Sequence, residues 1–348
     1  DGKGLVYTPY AADMGQRYQI RYASYPSGEV QNVTNDLSSY GDFSMTVDSQ
    51  TIVAVQRQYS MGIWLTTEND FSNSVGINSK TAADDGERGV CWTRDGKIVF
   101  VSSEGGAQNI WRMDADGSNP TPLTRDYRYG KLLPSAQVGG DAITFLSRAV
   151  DPATNELIPG NAYFQMNSDG QNVRQVVPKS DAAFAAASAN VDWVLYTSRA
   201  DGKFRIWKVP LKGGAAVQLA NIDSISPSIS PDGKSVAYFI REQSKPVQLG
   251  MVSIDGGEPL KVIDLPVTTN IGPGLSWNKA GNGILFVDTQ GTTSNVWTQP
   301  INREKPKQLT DFKEFQIAAF ALNPEGTRLA VARGSRNRDV VLIKNVSR

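Results

Sequence analysis

Histidine is missing from all 348 residues of this chain. That removes the commonest general base and the commonest metal ligand. A Ser-His-Asp hydrolase cannot be assembled here, nor can a His-ligated zinc or manganese site. Cysteine occurs once, at Cys91, so no internal disulfide forms. A single thiol fits either side of a bacterial membrane and decides nothing about compartment. No uninterrupted run of about 18 apolar residues exists, so no membrane insertion by this domain is expected. Neither sign of charge is in excess, with 35 basic against 35 acidic residues. A nucleic-acid partner would call for a basic surface, so none is expected. There is no initiating Met, and Asp1-Gly2-Lys3-Gly4 reads neither as a signal peptide nor as a natural start. We expect a mature or excised piece of something longer. Amphipathic helical windows are absent too. The alanine run from Ala182 to Ala189 is the one candidate, and it falls where an inner strand belongs.

What is present is self-similarity. A tight-turn sequence recurs as Asp1-Gly2-Lys3, Val47-Asp48-Ser49, Arg94-Asp95-Gly96-Lys97, Gly139-Gly140-Asp141, a degraded copy near Asn190, Pro231-Asp232-Gly233-Lys234, Lys279-Ala280-Gly281-Asn282 and Pro324-Glu325-Gly326-Thr327. The spacing is roughly 43–50 residues, the period of a four-stranded propeller blade. Asp-Gly and Asn-Gly suit such hairpins because they tolerate positive φ. A β-rich run follows each turn, as in Lys97-Ile98-Val99-Phe100-Val101 and Ser235-Val236-Ala237-Tyr238-Phe239. A second apolar run then carries an aromatic residue, as in Ile110-Trp111, Ile206-Trp207 and Val296-Trp297. Another Gly turn and a short outer strand close the unit. The expected fold is all-β: a single propeller of four-stranded antiparallel blades spanning 1–348, eight blades favoured and seven the alternative.

The residues also carry a resemblance. Ser230-Pro231-Asp232-Gly233-Lys234, and Asn109-Ile110-Trp111-Arg112-Met113-Asp114-Ala115-Asp116-Gly117-Ser118-Asn119 followed by Pro122-Leu123-Thr124, resemble the signature of TolB-type WD-like repeats. The resemblance covers essentially the whole chain. Tyr22-Ala23-Ser24-Tyr25-Pro26-Ser27-Gly28-Glu29 and the ending Leu329-Ala330-Val331-Ala332-Arg333-Gly334 are similar to propellers of large, mostly acidobacterial proteins. In those, the propeller follows a serine/threonine kinase or a winged-helix regulator. The resemblance implies a sensor or scaffold module of a larger signalling protein, with kinase activity in the parent, or a free periplasmic propeller. It slightly favours an extracytoplasmic location.

Candidate chemistry reads mostly as structure. Trp64, Trp111, Trp207 and Trp297 recur at one place in the repeat, and Trp92 and Trp277 at another, so they are read as packing between blades. Asp114-Ala115-Asp116-Gly117-Ser118 opens like a calcium loop, but Arg125 stands where the closing Glu belongs, so a hairpin is expected and no metal. Ser198-Arg199-Ala200-Asp201-Gly202 is read as a plain turn. Cys91 is read as a buried thiol, and no Gly-x-Ser-x-Gly elbow exists. The stretch from Val150 to Asn161 lengthens one hairpin and is expected to cover an edge or meet a neighbouring domain.

The loops leading into the inner strands line one mouth of the channel. They supply Tyr40, Arg128, Tyr129, Lys131, Asn270 and Phe315 as candidate ligand- or partner-binding residues. No catalytic residue, metal or cofactor is assigned. The expected function is non-enzymatic binding of a protein, peptide or small ligand at that mouth. The alternatives are a carboxylate-based propeller enzyme such as a glycosidase, or the propeller of a prolyl-oligopeptidase-like enzyme.

Overall fold

The computed structural model describes residues 2–9, 18–36, 38–77, 84–104, 107–125, 130–137, 140–150, 154, 157–177, 188–190, 192–200, 202–242 and 244–344. Every regular element among them is a strand. The chain divides into two compact units: Asp1–Ser60 with Ser335–Arg348, and Met61–Gly334.

In the first unit β1 (Gly4–Tyr7), β2 (Arg21–Ser24) and β3 (Val30–Asn32) form a three-stranded antiparallel sheet. β4 (Ser39–Met45) pairs antiparallel with the first part of β5 (Thr51–Thr67). The apolar core is Ile20, Tyr40, Ile52 and Ala54, with Val6, Val33, Phe43, Val341 and Ile343 packed on it.

The second unit is a sequence of antiparallel sheets built by the hairpin logic of the repeats. The later part of β5 pairs with β6 (Asp70–Gly76). Then come β7 (Val90–Trp92), β8 (Ile98–Ser102), β9 (Asn109–Met113) and β10 (Thr121–Pro122). The next sheet is β11 (Leu132–Ala136), β12 (Ala142–Val150), β13 (Leu157–Asn167) and β14 (Arg174–Gln175). The third is β15 (Ser188–Ala189), β16 (Trp193–Ala200), β17 (Lys203–Pro210) and β18 (Val217–Gln218). The fourth is β19 (Ser224–Ile229), β20 (Ser235–Ile240), β21 (Gln248–Ser253) and β22 (Lys261–Asp264). In the fifth, β23 (Thr269–Asn270) and β24 (Ser276–Trp277) both pair with β25 (Gly283–Gln290), followed by β26 (Thr293–Pro300) and β27 (Lys307–Gln308). The sixth joins the two ends of this unit: β28 (Gln316–Leu322) and the start of β29 (Leu329–Lys344) are completed by the later part of β5 and by β6.

The first strand of each sheet packs beside that of the next, from β7 through β11, β15 and β19 to β24. β26 then meets β28, and β28 returns to β7. That closed order is a propeller, whose radial repetition leaves only short sheet edges. The expected count of eight blades, or seven, is not confirmed: the described residues of this unit form six such sheets. Six of the eight recurrent turns join first and second strands of these sheets. The turn at Val47-Asp48-Ser49 instead joins β4 to β5 in the first unit, and Asp1-Gly2-Lys3 precedes β1. The turn chemistry recurs because any tight hairpin needs it, whichever unit the hairpin belongs to.

The sheets are glued by the residues expected to do so. Second strands such as Ile98–Ser102 and Ser235–Ile240 are apolar on both faces, because each lies between two neighbouring sheets. The Trp92 indole on β7 donates to the Ala321 carbonyl of β28 at 3.1 Å, and the Trp277 indole on β24 donates to the Ser228 carbonyl of β19 at 2.9 Å. Each tryptophan therefore ties its sheet to the one before it. Of the alanine run, Ser188–Ala189 is the described strand, and 181–187 lie outside the described residues. The lengthened hairpin joins β12 to β13, and 151–153 and 155–156 within it also lie outside them.

Candidate functional site

Each first strand of the ring starts at one mouth and runs to its Asp-Gly-type turn, and the second strand returns. Hydrogen bonds pin that return to the approaching loop. The Arg241 N–H donates to the Asp223 carbonyl at 2.8 Å, and the Thr289 N–H to the Thr268 carbonyl at 3.0 Å. The Ser147 hydroxyl reaches the Gly130 carbonyl at 3.2 Å. The ends of second strands and the starts of first strands thus share this mouth.

The Leu-Thr pair of the repeat signature works here as a clasp. The Thr124 hydroxyl accepts the Ile110 N–H at 2.9 Å and donates to Asn109 Oδ1 at 2.9 Å. Thr310 does the same with the Val296 N–H at 2.9 Å and Asn295 Oδ1 at 2.8 Å. In the first unit the Thr34 hydroxyl takes the Ile20 N–H at 2.9 Å. One side chain satisfies a strand N–H and orients an amide, so these recurrent polar residues are spent on the fold.

A second recurrent device escapes sequence reading. Gly89 (φ 133°), Leu133 (φ 53°), Ser226 (φ 56°) and Gly274 (φ 79°) have positive φ at one repeat position, four residues before the hairpin's opening residues Thr93, Gln137, Ser230 and Asn278. Strand pairing slips there, between Leu132 and Ser135 and between Ile225 and Ser228. These are bulges, which bend a strand and re-aim its side chains. The residue types differ at each copy, so no motif marks them.

The predicted site residues are distributed as follows. Arg128 and Tyr129 lie outside the described residues. Tyr40 lies on β4 of the first unit, 5% exposed, with its hydroxyl donating to Asp36 Oδ2 at 2.6 Å and accepting from Gln56 Nε2 at 3.0 Å. Burial, and then Asp36, push its ionisation up. Lys131 and Phe315 immediately precede β11 and β28, the first strands of the second and sixth sheets, and Asn270 ends β23 of the fifth. Lys131 is half-buried and its N–H donates to the Gln108 carbonyl at 2.8 Å. Asn270 is turned onto its own loop, accepting the Gly272 N–H at 3.0 Å and donating to Thr289 Oγ1 at 3.4 Å. Phe315 is half-buried with φ 70°, and its carbonyl takes the Ser294 N–H at 3.0 Å.

Sequence reasoning missed three arginines at the mouth. Arg148, Arg199 and Arg241 stand at equivalent positions, just after Ser147, Ser198 and Ile240, near the ends of the second strands of the second, third and fourth sheets. The signal was available: one Arg at one repeat position in three consecutive repeats.

The supposed calcium loop is a turn. Asp114 is ion-paired with Lys97 and accepts from Asn119 Nδ2 at 2.7 Å, and Asp116 accepts the Ser118 N–H at 2.9 Å. These hydrogen bonds, led by Lys97 for Asp114 and by Ser118 for Asp116, hold both carboxyls below their usual range.

Cys91 is buried on β7, and desolvation pushes its thiol from 9.0 up to about 12. In the native protein it should resist iodoacetamide at about pH 8, reacting at least ~100-fold slower than in denaturant. The folded thiol stays neutral where the unfolded one ionises. The stability it contributes is therefore present below pH 9 and lost as pH rises from 9 toward 12. Tyr238, pushed from 10.0 to about 12 chiefly by burial, acts in the same direction. The melting temperature should fall between about pH 8 and about pH 10.5, and a flat profile would contradict this burial.

No family model matches the chain. Its structure is similar to TolB from Acinetobacter baumannii, at TM-score 0.55 and 13% identity, over 96% of this chain and 80% of that one. It is likewise similar to the putative TolB from Agrobacterium tumefaciens, at TM-score 0.56 and 14% identity, over 79% and 98%. The fold is that of a TolB-like β-propeller. The uncharacterized peptidase YuxL of Bacillus subtilis (strain 168) is 29% identical over 153 residues, which is 42% of this chain and 21% of the peptidase. The chain thus matches about a fifth of that relative's length. The likeness to propellers behind serine/threonine kinases or winged-helix regulators finds no support among these proteins.

Proposed function

We propose that this propeller is a recognition module with no chemistry of its own, holding a protein or peptide partner at the mouth described above. The carrying observation is the division of labour among polar groups there. Thr124, Thr310, Asn109, Asn295 and Asn270 are spent on the backbone or on one another. Arg148, Arg199 and Arg241 face the same mouth as cations with no such duty. A histidine-free chain whose one thiol is buried offers recognition more readily than nucleophilic catalysis. The TolB-like fold supports the reading only as analogy, since propellers host many functions. Within a longer protein the module would serve as a sensor or scaffold arm.

A random peptide library displayed on phage and panned on the purified protein tests this. Selected peptides should lose about tenfold or more in affinity on the double variant Lys131→Glu with Phe315→Ala, while the melting temperature stays within about 3 °C. Peptides that bind wild type and variant equally would place recognition elsewhere.

A further inference from the structure

We propose that the sector of the mouth formed by the second, third and fourth sheets binds an acidic peptide segment, its Asp or Glu side chains held by Arg148, Arg199 and Arg241. This rests on the recognition reading above and names its ligand chemistry.

Geometry comes first. Antiparallel hairpins of equal register carry the three guanidiniums to the same end of three successive sheets. Arg199 and Arg241 share one ring: their guanidinium carbons stand 5.9 and 5.3 Å from the Phe204 centroid. A guanidinium held by its face on an aromatic ring keeps its in-plane N–H edge for a carboxylate, which it can grip with two parallel hydrogen bonds. Lysine could not be presented in that way.

Charge comes second. None of the three guanidiniums makes an ion pair or hydrogen bond among the described residues, although the whole chain carries as many acids as bases. Arg148 Nε is buried without a partner. Glu242, beside Arg241, is turned onto Lys245. Three guanidiniums without an ionic partner among the described residues, one with a buried unpaired donor, are costly until an acceptor answers them.

The third observation separates a peptide from a simple anion. Asn161 Oδ1, opposite Arg148 in the β12–β13 register, is buried and unpartnered, and so is Asp223 Oδ1, beside the N-terminal end of β19. Both are acceptors. A bare carboxylate offers them no hydrogen, inorganic phosphate offers at most one or two hydroxyls, and next to Asp223 either meets repulsion. An acidic peptide brings carboxylates for the arginines and backbone N–H groups for the acceptors.

The test uses the full chain and two N-acetylated, C-amidated peptides, Glu-Gly-Glu-Gly-Glu-Gly and its glutamine counterpart, with inorganic phosphate as a third probe, by isothermal titration. The glutamate peptide should bind about tenfold or more tighter than the glutamine one, and more weakly as salt rises. Arg148→Gln, Arg199→Gln and Arg241→Gln should each lose about tenfold. Arg241→Lys should recover only part of that loss. The substitutions are made singly so that each variant loses one side chain and keeps its fold, checked by an unchanged melting temperature. Equal binding of both peptides, or undiminished binding by the three variants, overturns the proposal. Competition by phosphate at the peptide's own affinity overturns the peptide and leaves a plain anion site. Failure of the wider reading looks different: library peptides that bind wild type and the Lys131→Glu, Phe315→Ala variant equally would remove the recognition mouth, whereas neutral library peptides that need Lys131 and Phe315 would keep that mouth and remove its acidic specificity.

Discussion

Arg333→Ala is expected to destabilise the ring by about 3 kcal/mol, read as a lower urea midpoint with the slope unchanged. Arg333 is 7% exposed, and its guanidinium carbon stands 4.1 Å from the centroids of both Trp64 and Phe312. Trp64 comes from β5, Phe312 from the loop before β28, and Arg333 from β29, so one side chain ties together both ends of the ring-forming chain. Burial lowers its ionisation and Glu314 opposes that shift. The arginine thus pays part of the desolvation cost of a buried cation. What offsets it is two ring faces, worth about 2 kcal/mol each when desolvated, plus the packed aliphatic stem. Arg333→Lys should recover little, because an ammonium is a compact point charge that cannot lie flat against two rings. Arg333→Met should recover more, since it fills the slot without burying charge. A midpoint that does not move for alanine would show that the stack adds nothing to ring closure.

Gly86→Val should cost about 3–5 kcal/mol, from left-handed backbone strain and overpacking together. Gly86 has φ +77°, and a Cβ there would stand 2.8 Å from Ala332 Cβ and 3.1 Å from Ile63 Cγ1. Both neighbours belong to the cluster that packs the sixth sheet on the first, together with Trp92, Phe100 and Ala330. The N–H of Gly86 also holds the Val101 carbonyl at 2.8 Å, so the turn cannot simply move away. Gly96 is the control. It has nearly the same φ, +78°, with nothing within 4 Å of a Cβ. Gly96→Ala should therefore cost about 1–2 kcal/mol, the backbone term alone. Equal losses at the two positions would show that the seam is not tightly packed.

Much of the ring was legible in the residues. The Asp-Gly turns marked the hairpins because only certain residues tolerate positive φ cheaply, and the apolar runs after them marked strands buried on both faces. Trp92 and Trp277 were correctly read as packing, since a residue that recurs at blade period meets the same neighbouring sheet each time. The reading failed where the local pattern is blind to destination. The turn at Asp48 looks like its six counterparts, yet β4 and β5 carry it into the first unit, and Tyr40 goes with it into that unit's core. Arg148, Arg199 and Arg241 passed unremarked because each alone is an ordinary strand-end arginine.

The sequence by itself determined the hairpins, their period, the strand-rich propeller class and the absence of histidine chemistry, because those depend on local backbone preference and composition. Only the tertiary structure decided which turns belong to the ring, how it closes through β5 beside β29, where the inner strands bulge, and which three arginines meet at one mouth. The physical reason is that strands pair through backbone N–H and C=O groups, which every residue but proline carries alike. Pairing over such a distance along the chain is chosen by the summed packing of whole sheets, as when Arg333 finds Trp64 and Phe312, and no single motif records that choice.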